Sequence, residues 1–450
     1  MAEIINAFPG YECVVEIDKK ANRQVVHNMY RGEDLGLGGY IRSWAGIYYN
    51  VALLDIQSLH PVSAISMNYF GEYTQHFKDI LDARLLIKHK DFEGAKKLLN
   101  GRLAKYLDDP STAKNLAQAL KIAINSVYGL TAAKFDNPFR DPRNINNIVA
   151  LRGALFMKTL QDEVEKRGFK IVAIKTDSIK IANATKEIID FCMEFAAKYG
   201  YSFQHEATYD RMCQVNDADY IALYKNEEWC ENLYGYIPDD NKGHGNTWTS
   251  TGTKFAVPYV FKTLFSKEPI EFDDFCETKE VSNGGAIYLD MNEKLPDVTA
   301  QENELEKLLK KDPENPRVEE LRKQIKEGHN YIFVGRVGRF TPVLPGAGGG
   351  LLMCLRRGKY SAVTGSSGYR WMESEMVKTQ NKEDLIDRGY YRNLVDDARE
   401  EISKYGDFDT FVSEEAPIHP WFSAIDEDAL PFNVNEDNDE LPWHTDVESA

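Results

Sequence analysis

Two apolar runs of four residues, Val51-Ala52-Leu53-Leu54 and Ile171-Val172-Ala173-Ile174, each lead into a polar stretch that carries an aspartate. Runs this short, bounded by turn residues, predict buried strands. Asp55 then lies at the end of the first strand. Asp177 lies in a short turn between the second run and Ile179-Lys180-Ile181, which predicts a β-hairpin with a carboxylate at its tip. Between these strands the period changes. Residues 76–128 predict an αα-hairpin, with one helix from Asp79 to His89 and a break near Asp108-Asp109-Pro110-Ser111. Ser111 or Thr112 is the expected cap of the second helix. A further amphipathic helix over 145–168 leads into the carboxylate hairpin, a helix follows from Lys186 to Tyr199, and Tyr220 to Tyr224 predicts another strand. Strands with helices crossing one face predict an α+β fold.

Downstream, 303–328 is charged and helical, interrupted at Asp312-Pro313-Glu314-Asn315-Pro316, and its heptads are not sustained. Residues 331–371 return to strand and turn. Leu35 to Gly39 is rich in glycine but too short for a dinucleotide fingerprint. No apolar run approaches the roughly 18 residues of a membrane span, and no signal-peptide pattern opens the chain. The six cysteines are scattered without a Cys-x-x-Cys. That argues against a zinc site or a disulfide framework and leads to the expectation of a cytoplasmic protein, in a bacterial host if viral.

Charge sharpens the picture. The chain carries 54 Lys and Arg against 71 Asp and Glu, a net charge of −17. The acidity is uneven: residues 405–450 hold thirteen Asp and Glu and no Lys or Arg, whereas 84–121 hold nine Lys and Arg against four Asp and Glu. The first segment predicts an acidic, solvated tail. The second predicts a surface for an anion. Lys121 and Asn125 are four residues apart and share a helical face, and Arg84 and Lys88 repeat the spacing on the preceding helix. Two antiparallel helices presenting these groups make a cage for a triphosphate. Two aspartates at strand ends of one sheet can hold a pair of Mg²⁺ ions about 3.5–4 Å apart, and Mn²⁺ can substitute.

Three strings carry a resemblance. Asp55-Ile56-Gln57-Ser58-Leu59-His60-Pro61 resembles the first palm motif of family B DNA polymerases, Asp-x-x-Ser-Leu-Tyr-Pro, with His60 in place of tyrosine. Lys121 through Gly129 is similar to their fingers motif, Lys-x-x-x-Asn-Ser-x-Tyr-Gly. Lys175-Thr176-Asp177-Ser178 is similar to their Asp-Thr-Asp-Ser hairpin, with Lys175 in place of the first aspartate. The resemblance is greatest to the bacteriophage members and runs over about residues 45 to 265.

It implies a right-hand architecture with an antiparallel-sheet palm, and the following organisation. Residues 1–75 and 129–265 would form the palm, 76–128 the fingers and 266–404 a thumb-like module, with 405–450 as the acidic tail. It implies a DNA-directed DNA polymerase that extends a primer on a template with deoxynucleoside triphosphates. Asp55 and Asp177 would be the metal ligands, with Lys121 among the catalytic groups. Ser58, Leu59, His60, Arg84, Lys88, Lys121, Asn125 and Tyr128 would face the nucleotide, with His60 against the sugar. Gly129, Lys175, Thr176, Tyr220, Arg356 and Arg370 would contact DNA, although the lysine the family carries just before Tyr220 is missing. In an extended hairpin Lys175 and Asp177 would point the same way. Only 54 residues precede Asp55, which leads to the expectation that the chain lacks its own exonuclease domain, so that a separate chain supplies one or the polymerase has none. The rival expectations are a polymerase-like DNA-binding subunit weakened by Lys175, and a scaffold whose acidic tail recruits a replication factor.

Overall fold

A computed structural model describes residues 2–18, 23–131, 133, 135–136, 147–282, 284–292 and 299–413, without the side chains of 2, 18, 23, 127–128, 299–300 and 326–327. Residues 1–406 form one unit and 407–450 a second. Of the second, a short helix (Phe408–Val412) is described, capped by the Asp407 carboxylate, which accepts from the Thr410 amide at 2.8 Å. The rest of the expected acidic tail, 414–450, lies outside the described residues.

The larger unit opens with helix α1 (Ala2–Ala7) and an antiparallel sheet of β1 (Glu12–Asp18), β2 (Arg23–Tyr30) and β3 (Glu33–Asp34). Then come β4 (Ile41–Ser43), β5 (Gly46–Ile56) and helices α2 (Leu59–Ser66), α3 (Thr74–Lys88), α4 (Phe92–Lys97), α5 (Pro110–Thr131) and α6 (Ile148–Lys166). The hairpin of β6 (Lys170–Lys175) and β7 (Ser178–Ala182) leads to α7 (Lys186–Lys198), β8 (Phe203–Gln214), β9 (Tyr220–Tyr224), α8 (Glu227–Tyr234), β10 (Trp248–Thr251) and α9 (Pro258–Phe261).

Seven of these strands form one antiparallel sheet in the order β10-β9-β8-β5-β7-β6-β4. Its two faces differ because side chains alternate along a strand. Ala52, Leu54 and Ile56 of β5 point into the main core, where they join Leu155, Phe156 and Leu160 of α6 and Ile188 and Cys192 of α7. Each fully buried large side chain there contributes about 1.5–3 kcal/mol. Val51 and Leu53 point the other way, into a smaller cluster with Tyr209 and Met212. Asp55 has their parity, so it ends β5 on the face opposite the helices. The strands and the hairpin expected from the two apolar runs are present.

The helical segment differs in detail. α3 starts at Thr74, five residues before the expected start. α5 is capped by the Asp109 carboxylate, which accepts from the Thr112 amide at 2.7 Å and its hydroxyl at 2.8 Å, so neither Ser111 nor Thr112 is the cap. The reason is Pro110, which occupies the first turn and puts the capping position on Asp109. α1 and α2 were not among the expected elements; each is too short for its period to be read.

One glycine fixes the hairpin tip. A Cβ on Gly39 would lie 2.4 Å from Thr176 Oγ1 and 2.9 Å from Thr176 Cβ. Thr176 is itself in the left-handed region, at φ 59°, and its amide donates to Tyr40 O at 2.9 Å. The glycine-rich segment before β4 thus lets the backbone close onto the tip that carries Asp177. Gly39→Ala is expected to lower stability by about 1–3 kcal/mol through overpacking. Gly38→Ala, whose Cβ would meet nothing within 4 Å, serves as the control, and urea unfolding of both variants is the measurement.

The rest of the unit builds a second core around Ile287, Phe340, Trp371 and Tyr391. It contains β11 (Glu277–Glu280), β12 (Gly285–Asp290), α10 (Thr299–Lys311), α11 (Pro316–Glu327), β13 (Tyr331–Gly335), β14 (Val337–Val343), β15 (Leu351–Arg356), β16 (Lys359–Ala362), β17 (Arg370–Glu373), α12 (Ser374–Thr379) and α13 (Arg388–Ser403). The strands form two antiparallel sheets, β11-β14-β17 and β13-β12-β15-β16.

Candidate active site

The register of the large sheet assembles the site. Asp55 lies opposite Ser178 of β7 and Gln204 of β8. The Ile56 amide donates to Asp177 O at 2.8 Å, tying the hairpin tip to the end of β5. Both aspartates line one open cavity of about 460 Å³. Ser58, Leu59 and His60, at the start of α2, line it too, as do Arg84 and Lys88 of α3 and Lys121 and Asn125 of α5. Two carboxylates on the sheet therefore face three cations and an amide on a helix pair.

Several contacts hold these groups in place. Arg84 Nη1 donates to Ser58 Oγ at 3.3 Å, and Ser58 is held at φ 63°, a conformation few residues other than glycine adopt. Lys88 Nζ donates to Gln204 Oε1 at 3.4 Å, and Gln57 donates to the same oxygen at 3.2 Å. Gln204 in turn donates to Asp239, which is paired with Lys242 at 2.7 Å. Leu59 serves the packing. It is 2% exposed and lies so close on α6 that a Cβ at Gly153 would sit 2.8 Å from its Cδ2. Its side chain is therefore spent on packing against α6.

The electrostatics are those of carboxylates lacking enough positive charge. Burial pushes the Asp55 carboxyl up to about 7, and the carboxylates of Asp177 and Glu206 add to the rise while Lys88 opposes it. Burial also raises Asp177 and Glu206. It lowers the His60 imidazole, which Asp177 partly pulls back. A hard divalent cation would relieve this, and carboxylate oxygens are the donors it takes. Among the described residues no set of three His, Cys, Asp or Glu has metal-holding geometry. Asp55 and Asp177 thus fit an ion that keeps water or substrate oxygens in the rest of its shell.

Glu206 was not among the expected site residues. It lies on β8 two positions after Gln204, where polar residues alternate with buried His205 and Ala207. Such alternation reads as any half-exposed strand; only the pairing of Gln204 with Asp55 brings it to the site.

Lys175 departs from expectation. It does not point with Asp177 but lines a second cavity of about 220 Å³ on the same sheet face, together with Lys180 and Tyr220. The left-handed Thr176 and a tight turn, with the Asp177 amide donating to Lys175 O at 2.7 Å, break the alternation of an extended strand. Thr176 is half-buried against Gly39.

Farther away, Arg356 is exposed at the end of β15. Arg370 is anchored within its own module, donating to Gly349 O at 2.9 Å and Asn292 O at 3.0 Å. Those carbonyls take two of the five guanidinium N–H groups. Gly129 lies near the end of α5 with no atom within 4 Å of a Cβ placed on it. The Tyr128 side chain lies outside the described residues.

No protein-family model matches the chain. Over 176 residues, 34% of this chain, it is 24% identical to DNA polymerase 1 of Sulfolobus acidocaldarius, of which it spans 20%. Among solved structures, the family B DNA polymerase of the hyperthermophilic archaeon Pyrobaculum calidifontis aligns with a TM-score of 0.41 at 12% identity, covering 82% of this chain and 46% of that one. The chain thus spans a fifth of the curated relative and under half of the solved polymerase, and over part of its length it is similar to a DNA polymerase.

Proposed function

We propose that the chain is the synthetic portion of a family B DNA polymerase of the bacteriophage type, which adds deoxynucleotides to the 3′-hydroxyl of a primer paired to a template. The observation that carries this reading is the cavity where Asp55 and Asp177 face Arg84, Lys88, Lys121 and Asn125. The three resembling motifs and the similarity to DNA polymerase 1 of Sulfolobus acidocaldarius support it. In this reading 1–75 and 129–265 serve as palm, 76–128 as fingers and 266–404 as a thumb-like module.

The side chains divide the work. Arg84, Lys88 and Lys121 neutralise the triphosphate, and Asn125 donates a hydrogen bond to it. Ser58 holds the Arg84 guanidinium in line. Asp55 and Asp177 would hold Mg²⁺, with Mn²⁺ as a substitute. Such ions, when bound, lower the pKa of a primer hydroxyl and stabilise the departing pyrophosphate. Lys175 lies on the neighbouring cavity, which keeps its charge off the wall that carries Asp177.

Primer extension by the purified chain, with deoxynucleotides and Mg²⁺ or Mn²⁺, tests the proposal. Template-dependent lengthening is the expected result, and its absence with both metals would overturn it.

His60, half-buried at the start of α2 beside the cavity, is the proposed sugar-facing residue. His60→Ala is expected to raise ribonucleotide use relative to deoxynucleotide by roughly tenfold, the scale of one lost steric contact. Single-nucleotide incorporation with paired ribo- and deoxynucleotides measures it, and unchanged selectivity would move the role elsewhere.

A further inference from the structure

Lys180 is an anomaly. It lies on β7 with 7% of its surface exposed and lines the 220 Å³ cavity on the open face of the sheet. Among the described residues no carboxylate comes within ion-pairing distance of its ammonium and it makes no hydrogen bond. Its partner is the Tyr220 ring, with Nζ 4.5 Å from the centroid. Lys158, equally buried on α6, shows what the chain does with a structural lysine: its ammonium meets Glu33 at 2.6 Å and Asp162 at 2.9 Å. A buried charge without such partners is costly.

The cavity carries both signs of charge, and its cations are Lys180, Lys175 and Arg42. Lys175 stands on its wall with an exposed ammonium. Arg42 lines it as well but is engaged with Glu33 at 3.3 Å. Three carboxylates also line it. Asp217 accepts from Ser43 Oγ at 2.6 Å, while Asp55 and Glu206 line both this cavity and the larger one. The two cavities therefore meet at Asp55, and a strand whose end reaches Asp55 can continue past Lys180.

We infer that this cavity is a phosphate pocket, in which Lys180 and Lys175 take one backbone phosphate of the nucleic-acid strand that ends at Asp55. The identity of the strand rests on the polymerase reading; the pocket does not. Tyr220 supplies the floor, its ring against the lysine stem and head. The lysine missing just before Tyr220 on β9 is thereby replaced from β7.

The test uses the full chain, a fluorescent primer–template and no nucleotides or divalent metal. Lys180→Met keeps the length and removes the charge. It is expected to weaken binding about tenfold, as for one charge-assisted contact, and to shrink the slope of log affinity against log salt by about one. Lys180→Arg should restore most of both. The methionine variant should melt at or above the parent, because a purely structural lysine would lower the melting temperature when removed.

Primers with a neutral methylphosphonate at one of the last few linkages locate the contact. One position should weaken the parent yet cost Lys180→Met nothing further. Inorganic pyrophosphate provides the second arm: a thermal shift of the parent that Lys180→Met abolishes, with an unchanged salt slope, would assign the pocket to a free phosphate. An unchanged slope, additive methylphosphonate losses and an unchanged pyrophosphate shift would overturn the inference. Because no incorporation is read, a chain that binds nucleic acid but never extends it would defeat the polymerase reading alone.

Discussion

Asp55→Asn and Asp177→Asn are each expected to cut nucleotide incorporation on the order of 10³-fold or more, while primer–template affinity changes little. Several kcal/mol of transition-state stabilisation depend on ions that only these two carboxylates are proposed to hold, and each 1.36 kcal/mol is tenfold in rate. The variants should stay folded, and Asp55→Asn should carry a second signature. The folded Asp55 carboxyl stands at about 7 against an ordinary 3.8, chiefly through burial. Between those values the folded chain keeps a proton that the unfolded chain has released. Stability from this group therefore falls as pH rises through that window. Asparagine removes that slope, so the variant should melt above the parent at pH 8 without divalent metal and match it near pH 4. Near-normal extension by either variant would remove the two-carboxylate assignment; a lower melting temperature at pH 8 would show Asp55 satisfied by its neighbours.

Arg84→Ala and Lys121→Ala are expected to raise the apparent KM for nucleotide about tenfold to a hundredfold. Each removes a cation from the wall facing the two aspartates, and a hydrogen bond to a charged group contributes about 1.5–3 kcal/mol. Burial already lowers the Arg84 guanidinium, and Ser58 aims it at 3.3 Å, so its loss should be the larger of the two. Lys121 is exposed on α5 and gives up more of its interaction to solvent. Steady-state incorporation with nucleotide varied, alongside binding of labelled primer–template, separates the effects. Equal losses for both ligands would place the helix pair on the nucleic acid instead.

The parts of the site that were legible are those where spacing and period act alone. Asp55 and Asp177 follow short apolar runs, and Arg84 with Lys88 and Lys121 with Asn125 recur at one helical turn. The parts that were not legible depend on pairing between distant segments. Glu206 reaches the site because β8 lies beside β5 in one register, and a slip of one residue would turn it to the core. Lys175 lines the neighbouring cavity on the same face because Thr176 takes a left-handed conformation that a β-branched residue seldom adopts. Arg370 was expected to contact DNA, and nothing in its spacing showed that the loop bearing Gly349 folds back to accept one of its hydrogen bonds. The cap of α5 moved by a few residues because a proline settled the first turn.

The bonds around the hairpin tip carry a mechanical consequence. Asp177 is joined to β5 through the Ile56 amide, Thr176 to Tyr40, and Trp44 to Val172, so the two aspartates are set in one cross-braced block. The cations across the cavity hang on α3 and α5, which pack on each other through two small clusters, one around Phe77, Leu81 and Ile124 and one around Ile87, Leu107 and Ala113. Helix pairs with little buried apolar contact open more readily than a seven-stranded sheet. If the proposed reaction requires the helices to swing, the cross-braced sheet would keep the spacing of the two carboxylates while they move.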